Sequence, residues 1–469
     1  MSGPRATLEE EVKLELGKTF SLPELEGEQL ELRTFDSTYF DTADRRLGGA
    51  RITLRRRVEQ GRSVWQLKLP RGNGRLELEA DGGPVPPEEL LAPLVAVLAS
   101  RPLEALVTLR TRRQPFSVRD GDRELAELVL DEVSIVDGAR AEPAFTELEV
   151  ERRQAGAAEL LALVKLLKSA GARRARSATK LERVLGVPAA PPPAEGALAV
   201  LAAAFAAQLA ALHTHDPGAR MGDDSEDVHQ LRVATRRARA YLRVARPLLD
   251  PAWSEPLWEE LGWLGRLLGP ARDLDVLLDH LRSDAAALGT ADESAVAPLL
   301  AKLETQRASL QADVLAALGS DRYRALLDAL EEASRTPHAV AADDLPSLEQ
   351  LAAVEAGKLR KRARRIEPEA PDEELHIVRI RAKRVRYAAE LLGEKEIVTR
   401  ARGVQDVLGE HQDAVVAEER LRALVKGARG TAGLAAGRLV ERQHERRRAA
   451  RAGFPKAWRR LERELESLR

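Results

Sequence analysis

Cysteine is absent from the 469 residues. Disulfides, thiolate catalysis and cysteine-based zinc sites are therefore excluded. Aromatic residues reach only 3%, so the cores must rely on Leu, Val and Ala. A net charge of one sign is also missing, because 74 Lys and Arg stand against 75 Asp and Glu. Apolar residues at 44% and charged residues at 32% suit a soluble folded protein rather than a disordered one. The length allows two or three domains. The opening MSGPRATLEEEVKLEL lacks the apolar core of a signal peptide. The longest apolar stretch, ALAVLAAAFAAQLAAL at 197–212, is broken by Gln208 and reads as a buried helix, not a membrane span. These features, with the missing cysteine, suit the cytoplasm.

What is present is sharply segregated. VPAAPPPAEG at 187–196 marks a stiff, extended boundary, since consecutive prolines continue neither helix nor central strand. The expected division is a first domain at 1–187, a linker at 188–196 and a second domain at 197–469. Before the boundary, period-two alternation predicts strands. In LEEEVKLEL, Glu9, Glu11, Lys13 and Glu15 share one face and Val12, Leu14 and Leu16 the other. Further strands place Arg55 with Arg57, Gln66 with Lys68, and Arg75 with Glu77 and Glu79. VTLRTRRQ places Arg110 with Arg112, and FTELEVE places Glu147 with Glu149 and Glu151. Asp131 lies in a more apolar strand.

Two readings fit these faces. One is an antiparallel sheet with a wet, salt-bridged face. The other is a closed sheet with the charges inside, where Arg and Lys clamp phosphates and carboxylates hold a hard divalent cation. The ordered set EEEVK (9–13), TYFDT (38–42), LRRR (54–57), WQLKLP, RLELE and ELEVE resembles the CYTH family, the triphosphate tunnel metalloenzymes. The resemblance covers roughly 5–187. It implies an eight-stranded antiparallel β tunnel barrel with helices, binding triphosphate with Mg²⁺ or Mn²⁺. By this likeness Glu9, Glu11 and Lys13 are the catalytic set. Glu9, Glu11, Glu147 and Glu149 match the metal-linked acids, with Glu151 as an alternative register. Lys13, Arg55, Arg57, Lys68, Arg110 and Arg112 match the phosphate clamp. Lys180 stands where the family often has a Ser-Lys pair, here Ser177, Ala178, Thr179, Lys180. The implied activity is a metal-dependent inorganic triphosphatase, with no general base assigned. The family also includes class IV adenylyl cyclases and thiamine-triphosphate hydrolases, but nothing in the chain reads as a nucleobase pocket.

After the boundary the pattern is helical to the end, and it repeats. HQLRVATRRAR from His229 matches HIVRIRAKRVR from His376, and LGPARDLDV from Leu268 matches LGEHQDAVV from Leu408. Two markers recurring in one order predict a duplicated helical bundle. At about 100° per residue, His229, Arg232, Arg236, Arg239 and Arg243 fall on one stripe roughly 80° wide. His376, Arg379, Lys383 and Arg386 repeat it, with Glu390 where the last arginine would fall. Residues 229–246 hold six arginines and no acid, and 358–386 hold eleven bases against five acids. A solvated face is one account. A linear polyanion gripped by guanidinium forks is the other.

The two signature helices resemble the CHAD family, the conserved-histidine α-helical domain, over about 197–465. That likeness implies an all-α domain of two pseudo-symmetric four-helix bundles around a basic channel for inorganic polyphosphate. The matching residues are His229, Arg232, Arg236, Arg237, His376, Arg379, Lys383, Arg384 and Arg386. The sequence therefore predicts an α+β chain acting on tripolyphosphate and polyphosphate, without a membrane, in the cytoplasm or at polyphosphate granules. A non-catalytic polyphosphate binder is the alternative. Nucleic acid is disfavoured because stacking aromatics are scarce.

Overall fold

The structure, a computed structural model, describes residues 4–17, 19–72, 74–99, 101–138, 140–175, 179–186, 196–222, 225–341, 345–424, 426 and 430–468. The chain divides into two compact units, Met1–Pro191 with His213–Met221, and Pro192–Leu212 with Gly222–Arg469. The expected linker at 188–196 lies outside the described residues apart from Gly196.

Alternating residues in the first unit form eleven strands among the described residues: β1 (Arg5–Glu9), β2 (Glu11–Leu16), β3 (Gly27–Gln29), β4 (Arg33–Asp41), β5 (Thr53–Glu59), β6 (Arg62–Arg71), β7 (Gly74–Asp81), β8 (Glu104–Asp120), β9 (Arg123–Asp137), β10 (Arg140–Arg152) and β11 (Ala172–Arg174). The order is β1-β7-β6-β5-β4-β8-β9-β10-β2-β11, with β3 beside β8. Every pairing is antiparallel. Only Glu10 separates β1 from β2, so they act as one bent strand. Its first half pairs with β7 and its second with β10, which closes the sheet. The sheet thus has more than the eight strands expected, because β1 and β2 are two halves of one bent strand and the three-residue β3 and β11 are added to it.

Closure decides which face is apolar. Helical turns α1 (Arg46–Gly49), α2 (Glu88–Leu91) and α3 (Val95–Leu98) border one outer face. There Leu54, Trp65, Leu67 and Leu78 pack with Leu47, Leu90 and Val97. Helix α4 (Ala157–Ser169) covers another, where Leu14, Leu128 and Leu148 meet Val164 and Leu167. With apolar side chains turned outward under helices, the charged faces turn into the closed sheet. Helix α5 (Lys180–Leu185) then enters that interior. Thr179 caps it by accepting from the backbone N–H of Glu182, and Leu181 packs with Tyr39, Leu109 and Val133.

The second unit is helical: α6 (Ala197–Met221), α7 (Ser225–Val244), α8 (Pro251–Leu288), α9 (Thr290–Leu318), α10 (Asp321–Arg335), α11 (Leu348–Ala363), α12 (Asp372–Leu392), α13 (Lys395–Leu424) and α14 (Thr431–Glu464), with the end of α6 grouped in the first unit. By length and composition α6 is long and apolar enough to cross a membrane. Its buried residues Leu201, Phe205, Leu209 and Leu212 recur at helical spacing, as in a helix packed against protein. The repeated motifs fall at matching places. The first lies on α7 and α12, the second on α8 and α13. Helices α6–α9 and α11–α14 are thus the two halves, and α10 lies between them. Helices α8, α9, α13 and α14 share one core containing Leu278, Leu281, Val296, Leu421 and Leu439. Helices α7 and α12 meet through Tyr241 and Tyr387, edge to face with centroids 6.1 Å apart.

Candidate functional site

A polar cavity of about 220 Å³ lies inside the closed sheet. Its inner end is organised by Lys180. The Nζ of Lys180 lies 3.0 Å from Asp131, 2.5 Å from Glu147 and 2.8 Å from Glu149. These three buried carboxylates are close enough to share one metal ion, and the ammonium stands among them. Arg113 makes a two-pronged bond to Asp131 at 2.9 and 2.7 Å and reaches Glu149 at 3.1 Å. Lys13 reaches Glu149 at 2.6 Å and Glu11 at 3.3 Å. Burial raises the Glu149 carboxyl, but Lys13, Lys180 and Arg113 outweigh it and hold the group well below the usual range.

Across the cavity Glu9 and Glu77 share a hydrogen bond. Burial and that bond push Glu77 up to about 7. Burial also raises Glu9, but the bond from Glu77 and the Lys68 ammonium, 2.5 Å away, bring it down to about 2. One Glu77 oxygen, Oε1, is buried without a hydrogen-bond partner. Among the described residues, two guanidinium groups here have no carboxylate at ion-pair distance. Arg55 donates to Gln66 Oε1 at 2.8 Å and Tyr39 OH at 3.3 Å. Arg75 donates to the carbonyls of Arg51 and Lys68 and to Thr53. Both line the cavity.

The cavity gathers Glu9, Glu11, Lys13, Arg55, Arg57, Lys68, Glu149 and Lys180. Glu147 lies beside Lys180. Arg110 and Arg112 are corrected. Both side chains point outward, where Arg110 pairs with Asp36 and Arg112 with Glu132. The reason is parity. Leu109 and Thr111 are buried on the other face of β8, and Arg113 follows them inward. In the sequence, the apolar Leu109 is the sign that the odd positions face the core. Arg75 shares a strand face with Glu77 and Glu79, which was visible in RLELE. Ser177 and Ala178 lie outside the described residues.

In the second unit, α7 and α12 bring Arg232, Arg236, Arg379 and Lys383 into one electrostatic neighbourhood. Among the described residues, Arg236, Arg379 and Lys383 have no acid at ion-pair distance. Arg236 Nε donates to Tyr387 OH at 3.0 Å, and Arg379 Nε is buried without a partner. Arg232 pairs with Asp273 at 2.7 Å. Arg237 and Arg386 approach Glu390 at 3.5 and 3.4 Å, and Tyr241 OH donates to the same carboxylate at 3.0 Å. Glu390, at the place of the missing arginine, thus partly neutralises two stripe neighbours. Arg384 has Arg243, Arg381 and Glu355 as its charged neighbours. His229 and His376 contact Arg272 and Gln412.

A charged β tunnel and a duplicated helical bundle define a two-part class of chain. The CYTH domain model matches residues 7–185 and the CHAD domain model residues 203–422. An uncharacterized protein of Mycobacterium tuberculosis (strain CDC 1551 / Oshkosh) is 31% identical across 99% of this chain and 98% of its own length. The chain belongs to the family that joins a CYTH domain to a CHAD domain. It is also similar to PptA from Streptomyces chartreusis, at 23% identity over 56% of this chain and 100% of that one, TM-score 0.49. The CHAD domain from the plant Ricinus communis is 26% identical over 60% of this chain and 95% of that one, TM-score 0.46.

Burial, then Arg379, Arg236, Arg232 and Arg386, pull Lys383 down from 10.5 to about 7. The sign follows directly. The unfolded chain holds this proton up to about pH 10.5, so the cost of burying Lys383 is absent above that pH and grows as pH falls towards 7. A polyanion placed there would offset the surrounding positive charge and return the proton. At pH 8, titration calorimetry of long-chain polyphosphate in two buffers of different ionisation enthalpy should show proton uptake that Lys383→Met removes. Uptake unchanged in the variant contradicts this assignment.

Proposed function

We propose that the first unit hydrolyses inorganic tripolyphosphate with a divalent cation and that the second holds inorganic polyphosphate. The observation carrying the first part is the pair Arg55 and Arg75, half-buried guanidinium groups that have no carboxylate at ion-pair distance among the described residues and line a cavity beside the Glu9–Glu77 pair. An anion with several charges supplies what those groups lack. Arg55 and Arg75 orient the phosphoryl groups and offset charge that builds up during transfer. Lys68 and Arg57 flank them. Glu77, whose carboxyl is pushed up to about 7, is suited to take a proton from an attacking water.

The donor set suits a hard cation, because Glu9 and Glu11 offer carboxylate oxygens in a polar cavity. Mg²⁺ or Mn²⁺ held there would offset phosphate charge. Glu147 and Glu149 are engaged by Lys180, which supplies positive charge at the inner end. Glu9→Gln with Glu11→Gln should lose metal-dependent phosphate release from tripolyphosphate while circular dichroism stays unchanged. Full activity in that variant, or equal activity in excess EDTA, contradicts the proposal and leaves a tunnel that only binds.

In the second unit, Arg236, Arg379 and Lys383 likewise have no acid at ion-pair distance among the described residues. Single-stranded nucleic acid fits less well, since the rings nearby that could stack on its bases are covered. Arg239 lies 3.8 Å over Trp258 and Arg386 4.6 Å over Tyr387. Several simultaneous phosphate contacts make binding steeply salt-dependent. Arg232→Glu with Arg379→Glu should weaken long-chain polyphosphate binding by at least about tenfold, or ~1.4 kcal/mol. Unchanged affinity, or displacement by duplex DNA at equal phosphate concentration, contradicts the polyphosphate reading.

A further inference from the structure

The second repeated motif, at 268–276 and 408–416, has no part in the function proposed above. In the structure each copy reaches the histidine that heads its stripe. Arg272 Nε donates to His229 Nδ1 at 3.2 Å, and Gln412 Oε1 lies 2.7 Å from His376 Nδ1. Counted from Leu268 and Leu408, Arg272 and Gln412 hold the same place. The next residue is Asp in both copies. Asp273 pairs with Arg232, and Asp413 is the acid whose charge acts most on Arg379, at the equivalent place in the other stripe. The motif thus supports the same two stripe positions in each half.

The two contacts are chemically opposite. A guanidinium has donors and no lone pair, so His229 Nδ1 must accept and its proton sits on Nε2. An amide oxygen only accepts, so His376 must carry its proton on Nδ1. A histidine tautomer is set by the bond its other nitrogen makes. Burial, then Arg272, with Arg236 and Arg232, lowers the affinity of His229 for a second proton, while Glu226 opposes them.

We propose that Arg272 and Gln412 are positioning residues that hold His229 and His376 in opposite tautomers, so that the two halves present different groups to their anion. His229 offers an N–H from a neutral ring. His376 offers a lone pair, which repels a phosphate oxygen. The two halves of the duplicated bundle are then unequal in grip. Only the identity of the anion rests on the polyphosphate reading.

The test uses the full chain with ¹⁵N-labelled histidine. Long-range proton–nitrogen spectra distinguish the tautomers, and single His→Gln variants assign the eight histidines. The expected result is Nε2–H for His229 and Nδ1–H for His376. Arg272→Glu, which offers only acceptors, should move His229 to the Nδ1–H form, and Gln412→Arg should move His376 to the Nε2–H form. In long-chain polyphosphate binding, His229→Ala should cost severalfold more than His376→Ala. The same tautomer at both histidines, no change in either swap variant, or equal losses for the two alanine variants overturns the proposal. Opposite tautomers in a chain that binds no polyphosphate would sustain the positioning roles and overturn the polyphosphate reading instead.

Discussion

Lys180 places one ammonium between Asp131, Glu147 and Glu149, all three buried. Three carboxylates at that spacing repel one another, and a buried charge without a partner costs several kcal/mol. The rest of the tunnel follows from this requirement. Arg113 bridges Asp131 and Glu149, Lys13 bridges Glu149 and Glu11, and Lys68 holds Glu9. The capped turn at Thr179 holds Lys180 in place, so a short helix beyond the main strands completes the charge balance inside the sheet. Arg55 and Arg75 are left over once these pairs are made. Their charge is what a bound anion would answer.

The helical unit reaches a similar result by a different route. Its basic stripes lie on α7 and α12, which meet, so positive groups of one half stand in the field of the other. Glu390 and Asp273 neutralise part of this charge. Lys383 lies among guanidinium groups with no acid at ion-pair distance among the described residues, and its ammonium is weakened accordingly. In both units, a cation lacking a protein counter-ion marks the candidate ligand position.

Much of this was legible in the sequence. Period-two alternation located the main strands, and the repeated histidine helices located the duplication. Closure was less visible, because a one-residue break at Glu10 lets one bent strand pair at both ends of the sheet. On β8, two arginines on one face outweighed the buried side chains on the other, so Arg110 and Arg112 were chosen where Arg113 turns inward. Arg75 lay on a face already recognised, yet its role depends on having no carboxylate nearby, which only the fold reveals. The pairing of Arg272 with His229 joins residues 43 apart on different helices. The repeat exposed both motifs, but not that one supports the other.

On the proposed function, Arg55 and Arg75, without a carboxylate at ion-pair distance among the described residues, would receive the anion. Tripolyphosphate affinity, measured by titration calorimetry for Arg75→Gln beside Arg112→Gln, tests it most directly. Arg75→Gln should weaken binding by about tenfold or more, the loss of roughly one charged contact, and Arg112→Gln should leave it unchanged. Unchanged affinity in Arg75→Gln, or an equal loss in Arg112→Gln, would contradict the claim.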